Sequence, residues 1–444
     1  MKYQSLLKKA ICTVAVAGML LQMPQAAYAD VTSETADATM DQQTEDSTQT
    51  GQTEDTPEET PDDNTEDTQE VQPESVEDVV TTKTGKTTVL LEWDSSEGAK
   101  EYLVYRKEKG KSYTLLKTTK QTQYTDKKVV SGKTYTYRVR AKSGKLKAEE
   151  AAEVTFSNTK AVQIKSQKYT YNQMKTDLRE LESKYSNYCE LTKIGSSVEG
   201  RDIYDFAIGA PDAENSLLVI STLHAREYIC VAVMMKELEY YLENYNQKIG
   251  GVTPAKLLEN MQIHYVVMAN PDGVTLSQTK YARWKANGRG VDLNRNFPAK
   301  NFRVGGKAGA EGYSGKKALS EPESQAVAEL TQSLKETQNL CGVVNYHAMG
   351  RIIYGACSDS KIKKDTETMY QIAKKNTGYA KAYEGGGGSS SGGQYREYVM
   401  DLLRLPSITI EVGTSAAPCP YSQYETEFQK NKYVVIQIAD ALQK

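Results

Sequence analysis

Two residues three apart, His224 and Glu227 in Ser221-Thr-Leu-His-Ala-Arg-Glu-Tyr228, carry the clearest chemical signal in the chain. The chain holds only 3 histidines, so an imidazole beside a carboxylate is not background here. A neutral imidazole and a carboxylate suit Zn²⁺, which in catalytic sites takes three protein ligands and keeps one position for water. The same spacing also arises by chance on any helix surface, so zinc chemistry needs a third ligand and a positioned base. His347 directly follows the apolar run 341–346, and Glu411 stands near the end of the run 407–412. Each could ligate a metal or move a proton. The third histidine, His264, lies inside the run 262–268 and reads as a hydrogen-bonded structural residue.

The elements that must position these residues read as an α/β domain from about residue 167 to 444. Short apolar runs at 217–221, 263–268, 341–346 and 407–412 suit buried parallel strands. Helical periodicity fills the stretches between and after them, at 171–185, 231–245, 320–335, 366–377, 394–403 and 423–442. His224, His347 and Glu411 each fall at the carboxyl end of such a run, where open α/β sheets form their sites. The expected sheet is mixed and largely parallel, with helices on both faces. Residues 83–158 alternate with period two and carry turns every dozen residues, predicting a small all-β sandwich.

The remaining segments bound the setting. Lys2, Lys8 and Lys9, a short apolar stretch and Ala27-Tyr28-Ala29 read as a signal peptide over 1–29. Residues 30–82 hold 18 acids and no Lys or Arg, the composition of a disordered tether. They mask a basic body: residues 83–444 carry 52 basic and 40 acidic side chains, a formal charge of +12 in a chain that is −3 overall. The expectation is a secreted, extracellular protein with no transmembrane anchor and no nucleic-acid partner. Its basic body or sandwich would touch the bacterial cell wall, although plain solubility explains the charge equally well. The five cysteines after residue 29 form no regular framework; Cys230 and Cys341 read as core residues.

At this point two resemblances are visible. Trp93, Gly98-Ala99 with Tyr102-x-Val104-Tyr105-Arg106, Tyr124-Thr125-Asp126 and Gly132-Lys-Thr-Tyr-Thr-Tyr-Arg-Val resemble a fibronectin type III domain. Residues 167–444 resemble the zinc metallocarboxypeptidases of the carboxypeptidase A-like family. The motifs run in order: Gly195-Ser-Ser-Val-Glu-Gly200-Arg201-Asp-Ile203, His224-Ala-Arg226-Glu227, Asn270-Pro271-Asp272-Gly273, Asp292-Leu-Asn294-Arg295-Asn296-Phe297, His347, and Glu411 in Thr-Ile-Glu-Val-Gly.

The family resemblance implies one zinc ion on His224, Glu227 and His347, with Glu411 as general base and acid. It implies that Arg295, helped by Asn294, grips a substrate carboxylate, and that Arg226 lines the groove; an ordinary solvated arginine is the alternative for Arg226. Where pancreatic-type enzymes carry an oxyanion-stabilising arginine, this chain has Lys285, with Arg283 and Arg289 as rivals. Tyr395 and Tyr398, after the Gly-rich stretch 385–393, are the candidates for a substrate-covering tyrosine. The segment from Trp284 to Phe297 resembles the bacterial branch that cleaves the γ-D-glutamyl–diaminopimelate bond of peptidoglycan stem peptides. The implied partner is a peptide or muropeptide. Two alternatives stay open: general trimming of peptide C-termini, and a non-catalytic wall-binding adhesin on the same fold.

Overall fold

The computed structural model describes residues 71–382, 392–414 and 416–443; the expected signal peptide, most of the acidic tether and most of the Gly-rich stretch lie outside them. The first folded region is all-β. Its strands are β1 (Val79–Gly85), β2 (Thr88–Trp93), β3 (Glu101–Glu108), β4 (Thr114–Thr119), β5 (Gln123–Asp126), β6 (Thr134–Ser143), β7 (Leu146–Lys147) and β8 (Ala152–Ser157). They form two antiparallel sheets, β1-β2-β5 and β4-β3-β6-β7, with β8 also paired to β6. Along β6, buried and half-buried residues alternate over all ten positions, sending Tyr135, Tyr137, Val139 and Ala141 into the core.

One boundary needs correcting. Composition extends the acidic tether to residue 82, yet β1 begins at Val79, and Val76, Val79, Thr81 and Thr82 are buried. Val76, inside the acidic run, and Val79, just past it, join the core cluster that also holds Trp93 and Tyr102.

The larger region is an eight-stranded sheet in the order β15-β14-β16-β13-β11-β12-β10-β9. Its strands are β9 (Cys189–Ser196), β10 (Asp202–Ile208), β11 (Asn215–Ser221), β12 (Met261–Val266), β13 (Leu340–Ala348), β14 (Ile352–Tyr354), β15 (Ala380–Lys381) and β16 (Ser407–Val412). The central four, β16-β13-β11-β12, are parallel, while β9, β10 and β14 join antiparallel. Alternate residues of the central strands feed two cores. Leu217 and Val219 of β11 face the helices Ile229–Glu243 and Val434–Leu442, and Leu218 and Ile220 face Pro322–Thr337. Both faces are therefore covered, which is why these strands read as unbroken apolar runs.

Two helical expectations are redrawn. The stretch 394–403 is one α-turn, Tyr395–Glu397, followed by the wider turn Tyr398–Leu402. The stretch 423–442 breaks into Tyr424–Asn431 and Val434–Leu442. Among the described residues no helix is long and apolar enough to cross a membrane, and Cys189, Cys230 and Cys357 are free thiols.

Candidate active site

Three carboxyl-terminal strand ends build the site. Chain leaving β11 turns sharply at Thr222, a buried β-branched residue at φ 59°, a region such side chains rarely adopt. Its hydroxyl and that of Ser221 both donate to the Val267 carbonyl, at 2.9 and 2.7 Å, and hold the turn. The turn delivers His224, followed by the short 3-10 helix Ala225–Glu227. On the neighbouring strand β13, His347 lies beside Glu411 of β16 in the parallel register, so the two side chains share a face.

The donor atoms converge. His224 Nδ1 is 2.8 Å from Glu227 Oε1, His347 Nδ1 is 2.8 Å from Glu227 Oε2, and the two Nδ1 atoms are 3.1 Å apart. Ligands about 2.0–2.2 Å from a tetrahedral zinc stand roughly 3.3–3.6 Å from one another, so this buried trio is a few tenths of an ångström tighter than the spacing zinc requires. The far edges of both rings are held as zinc ligands need. His224 Nε2 lies 3.1 Å from the buried carboxylate of Asp292. His347 Nε2 lies 3.0 Å from Asn345 Nδ2, and Asn345 Oδ1 is buried without a partner; turning the amide over brings that oxygen to the ring, where it accepts the N–H of a histidine bound through Nδ1. Two nitrogens and a carboxylate with these outer partners suit zinc.

The charges agree. Burial alone would lower the His224 pKa, but Glu227 and Asp292 outweigh it and raise it, so the pocket favours positive charge. Burial opposes the charge on Glu227 too, yet the two imidazoles hold its carboxyl well below the usual range. Glu411 goes the other way: burial pushes its carboxyl up to about 8, against the pull of His347 and Lys285.

Of the cations weighed from sequence, the structure brings Lys285 to the centre. Its Nζ is 3.1 Å from Asp292 Oδ2, and its carbonyl accepts from the Ala225 amide at 2.9 Å. Arg289 is exposed and 3.8 Å from Glu321. Arg226 is half-buried and tied at 2.6 Å to Glu311, with a second bond to the Arg283 carbonyl at 3.3 Å. Asn294 and Arg295 sit together on the 3-10 helix Leu293–Arg295. Arg295 donates from Nη1 to the Asn294 carbonyl at 2.6 Å, while its Nε is buried without a partner. Asn294 Oδ1 accepts from the Tyr395 amide at 3.0 Å, leaving its Nδ2 as the donor for a ligand.

Tyr395 and Tyr398 are not covering residues. Tyr395 is fully buried, bonded through its hydroxyl to Thr331 at 2.7 Å, and both rings pack on Phe297 at 4.8 and 5.8 Å. His264 is structural, as expected, bonded to Asp205 at 2.7 Å and Gln338 at 3.1 Å. Sequence reasoning missed Asp292 as the partner of His224. It also missed a cleft of about 360 Å³ beside Lys285 and Asp292, walled by Tyr281, Trp284 and Ala310.

A mixed sheet that carries a His-Glu-His metal trio and the Glu411 carboxyl at its strand ends, with an arginine on the 3-10 helix Leu293–Arg295, is the framework of a zinc-dependent peptide hydrolase. The model of the zinc carboxypeptidase family, Peptidase_M14, matches residues 174–433, and the chain belongs to that family. The chain is 30% identical over 295 residues to gamma-D-glutamyl-L-diamino acid endopeptidase 1 of Lysinibacillus sphaericus, covering 60% of this chain and 70% of that protein. It is 27% identical over 290 residues to carboxypeptidase O of Bos taurus, covering 59% of this chain and 76% of that protein. In fold it is similar to the crystal structure of thrombin activatable fibrinolysis inhibitor, with a TM-score of 0.52 at 21% identity, over 62% of this chain and 74% of that one.

Proposed function

We propose that this chain is a secreted zinc peptidase that cleaves peptidoglycan stem peptides between the γ-D-glutamyl residue and diaminopimelate. The observation that carries the reading is the 30% identity, across 295 residues, to a protein named for acting on a γ-D-glutamyl-L-diamino acid bond. The leader-like start, the basic body and Lys285 in place of a forked cation support it. The all-β region, whose sequence resembles a fibronectin type III domain, would space or dock the enzyme at the wall.

His224, Glu227 and His347 would hold the zinc. When bound, zinc supplies Lewis acidity, which acidifies water and polarises a carbonyl oxygen. Glu411, half-buried beside His347, takes the proton of the attacking water on its carboxylate and returns it to the departing amine. Lys285 Nζ places positive charge where negative charge grows on the carbonyl oxygen. Arg295, through its unpartnered Nε, and Asn294 Nδ2 hold the free carboxylate of the leaving diamino acid.

The test is digestion of L-alanyl-γ-D-glutamyl-meso-diaminopimelate by the zinc-loaded protein, with mass spectrometry of the products. Free diaminopimelate is expected, and its release should stop with Glu411→Gln. Efficient trimming of ordinary peptides without that release would favour the general carboxypeptidase. Binding of wall peptides that is equal in both forms, with no hydrolysis of anything, would favour a binding module.

A further inference from the structure

The cleft beside the metal residues shares Lys285 with the steps above, while Tyr281, Arg283 and Trp284 in its lining have no part in them. Lys285 and Asp292 line it, so it adjoins the candidate active site. Its volume of about 360 Å³ lies at the small end of the ligand-pocket range, ~300–1,000 Å³. The Tyr281 ring, 49% exposed, stands 5.8 Å from Trp284 at a tilt of 35°. The indole is fixed by its N–H bond to the Asn287 carbonyl at 3.1 Å. Gly309, which lines the cleft against the Trp284 ring, is fixed too. Its amide donates to the Gly290 carbonyl at 2.8 Å, and a Cβ on Gly290 would strike that amide at 2.4 Å. The cleft is thus preformed, apolar and aromatic.

Charge decides what enters it. Lys285 is engaged by Asp292, and Arg226 by Glu311. Arg283 also lines the cleft, is exposed, and its guanidinium has no ion-pair partner among the described residues. With the leaving residue's carboxylate on Arg295 and the scissile carbonyl facing Lys285, the acyl side of a substrate comes against the cleft that Lys285 lines. A γ-linked glutamyl group differs from an ordinary peptide residue there in one respect: its α-carboxylate is free.

We propose that the cleft is the acyl-side subsite for an N-acylated γ-D-glutamyl group. Arg283 pairs with the free α-carboxylate, and the Tyr281–Trp284 pair carries the apolar alanyl group. The inference rests on the stem-peptide reading above.

The experiment compares two substrates, L-alanyl-γ-D-glutamyl-diaminopimelate and its counterpart with the glutamyl α-carboxylate amidated. Wild type should prefer the free carboxylate about fivefold in kcat/KM, the worth of a partly exposed ion pair, and the difference should lie in KM. Arg283→Gln should narrow that ratio to about one. Tyr281→Ser should lower kcat/KM on the alanyl substrate relative to γ-D-glutamyl-diaminopimelate, which lacks the alanine. Both positions are exposed, so loss of fold is not expected to confuse the result. If wild type cuts both substrates and Arg283→Gln keeps the preference, the cleft assignment falls and the stem-peptide reading stands. If wild type cuts none of these γ-glutamyl substrates, the stem-peptide reading falls and takes the inference with it.

Discussion

Asp292 Oδ1 lies 3.1 Å from His224 Nε2, on the ring edge opposite the nitrogen that faces Glu227. The other oxygen of the same carboxylate lies 3.1 Å from Lys285 Nζ. One buried carboxylate therefore sets both the tautomer of a metal-type histidine and the position of the nearest cation. A histidine that ligates through Nδ1 carries its proton on Nε2, the form from which Asp292 accepts. Burial opposes the charge on Asp292, yet His224, Lys285 and Arg295 hold its carboxyl well below the usual range.

Replacing Asp292 by Asn should weaken zinc binding about 10–100-fold, the usual effect of losing such an outer partner. Chelator competition on the purified protein measures this without reference to activity. Zinc affinity within twofold of wild type would show that Asp292 does not orient His224 as argued.

Glu411→Gln keeps the shape of the side chain and removes the proton acceptor. The expected result is a fall in kcat of roughly 10²–10⁴, with KM nearly unchanged and one zinc per chain retained. A variant that loses zinc as well would mean that Glu411 supports the metal residues rather than moving the proton.

Much of the fold was legible because buried parallel strands are continuous apolar runs, and β11, β13 and β16 fall within or around the runs read from sequence. The site was legible for the related reason that its residues end those runs. Asp292 was not, because its partner is 68 positions away in sequence and its acid opens a motif already read for Asn294 and Arg295. A carboxylate beside an otherwise apolar pair, Val291 and Leu293, is the signal that could have found it. Tyr395 and Tyr398 misled because a tyrosine after glycines looks the same whether it swings free or packs on Phe297, and only a contact distant in sequence decides. The start of β1 was hidden because composition averaged over an acidic segment conceals two valines that reach a core.

Stability should depend on pH through Glu237, which is buried in the helix Ile229–Glu243. Its Oε1 accepts from the Tyr265 hydroxyl at 2.8 Å, and its Oε2 has no partner. Burial raises its pKa from 4.5 to about 8. The folded chain thus keeps a proton that the unfolded chain releases above pH 4.5. Stability present below that pH is lost as pH rises towards 8, by up to about 1.4 kcal/mol per unit, and levels off beyond. Glu237→Gln should remove this slope. Melting temperatures at pH 5.5 and pH 8 compare the two proteins, and an equal drop in both would show that Glu237 is not the group responsible.

Arg295→Lys keeps the positive charge at the 3-10 helix Leu293–Arg295 but removes both the planar fork and the buried, unpartnered Nε. Lysine cannot hold a carboxylate in two parallel bonds or bond simultaneously to the Asn294 carbonyl, which Arg295 Nη1 reaches at 2.6 Å. The loss is one of ground-state and transition-state binding alike, so KM should rise about tenfold while kcat changes by less than roughly threefold. A substrate whose terminal carboxylate is amidated supplies the control, because it cannot use the fork and should be handled similarly by both proteins. An unchanged KM on the free-carboxylate substrate would place the carboxylate grip elsewhere, and with it the direction in which the acyl side leaves the site.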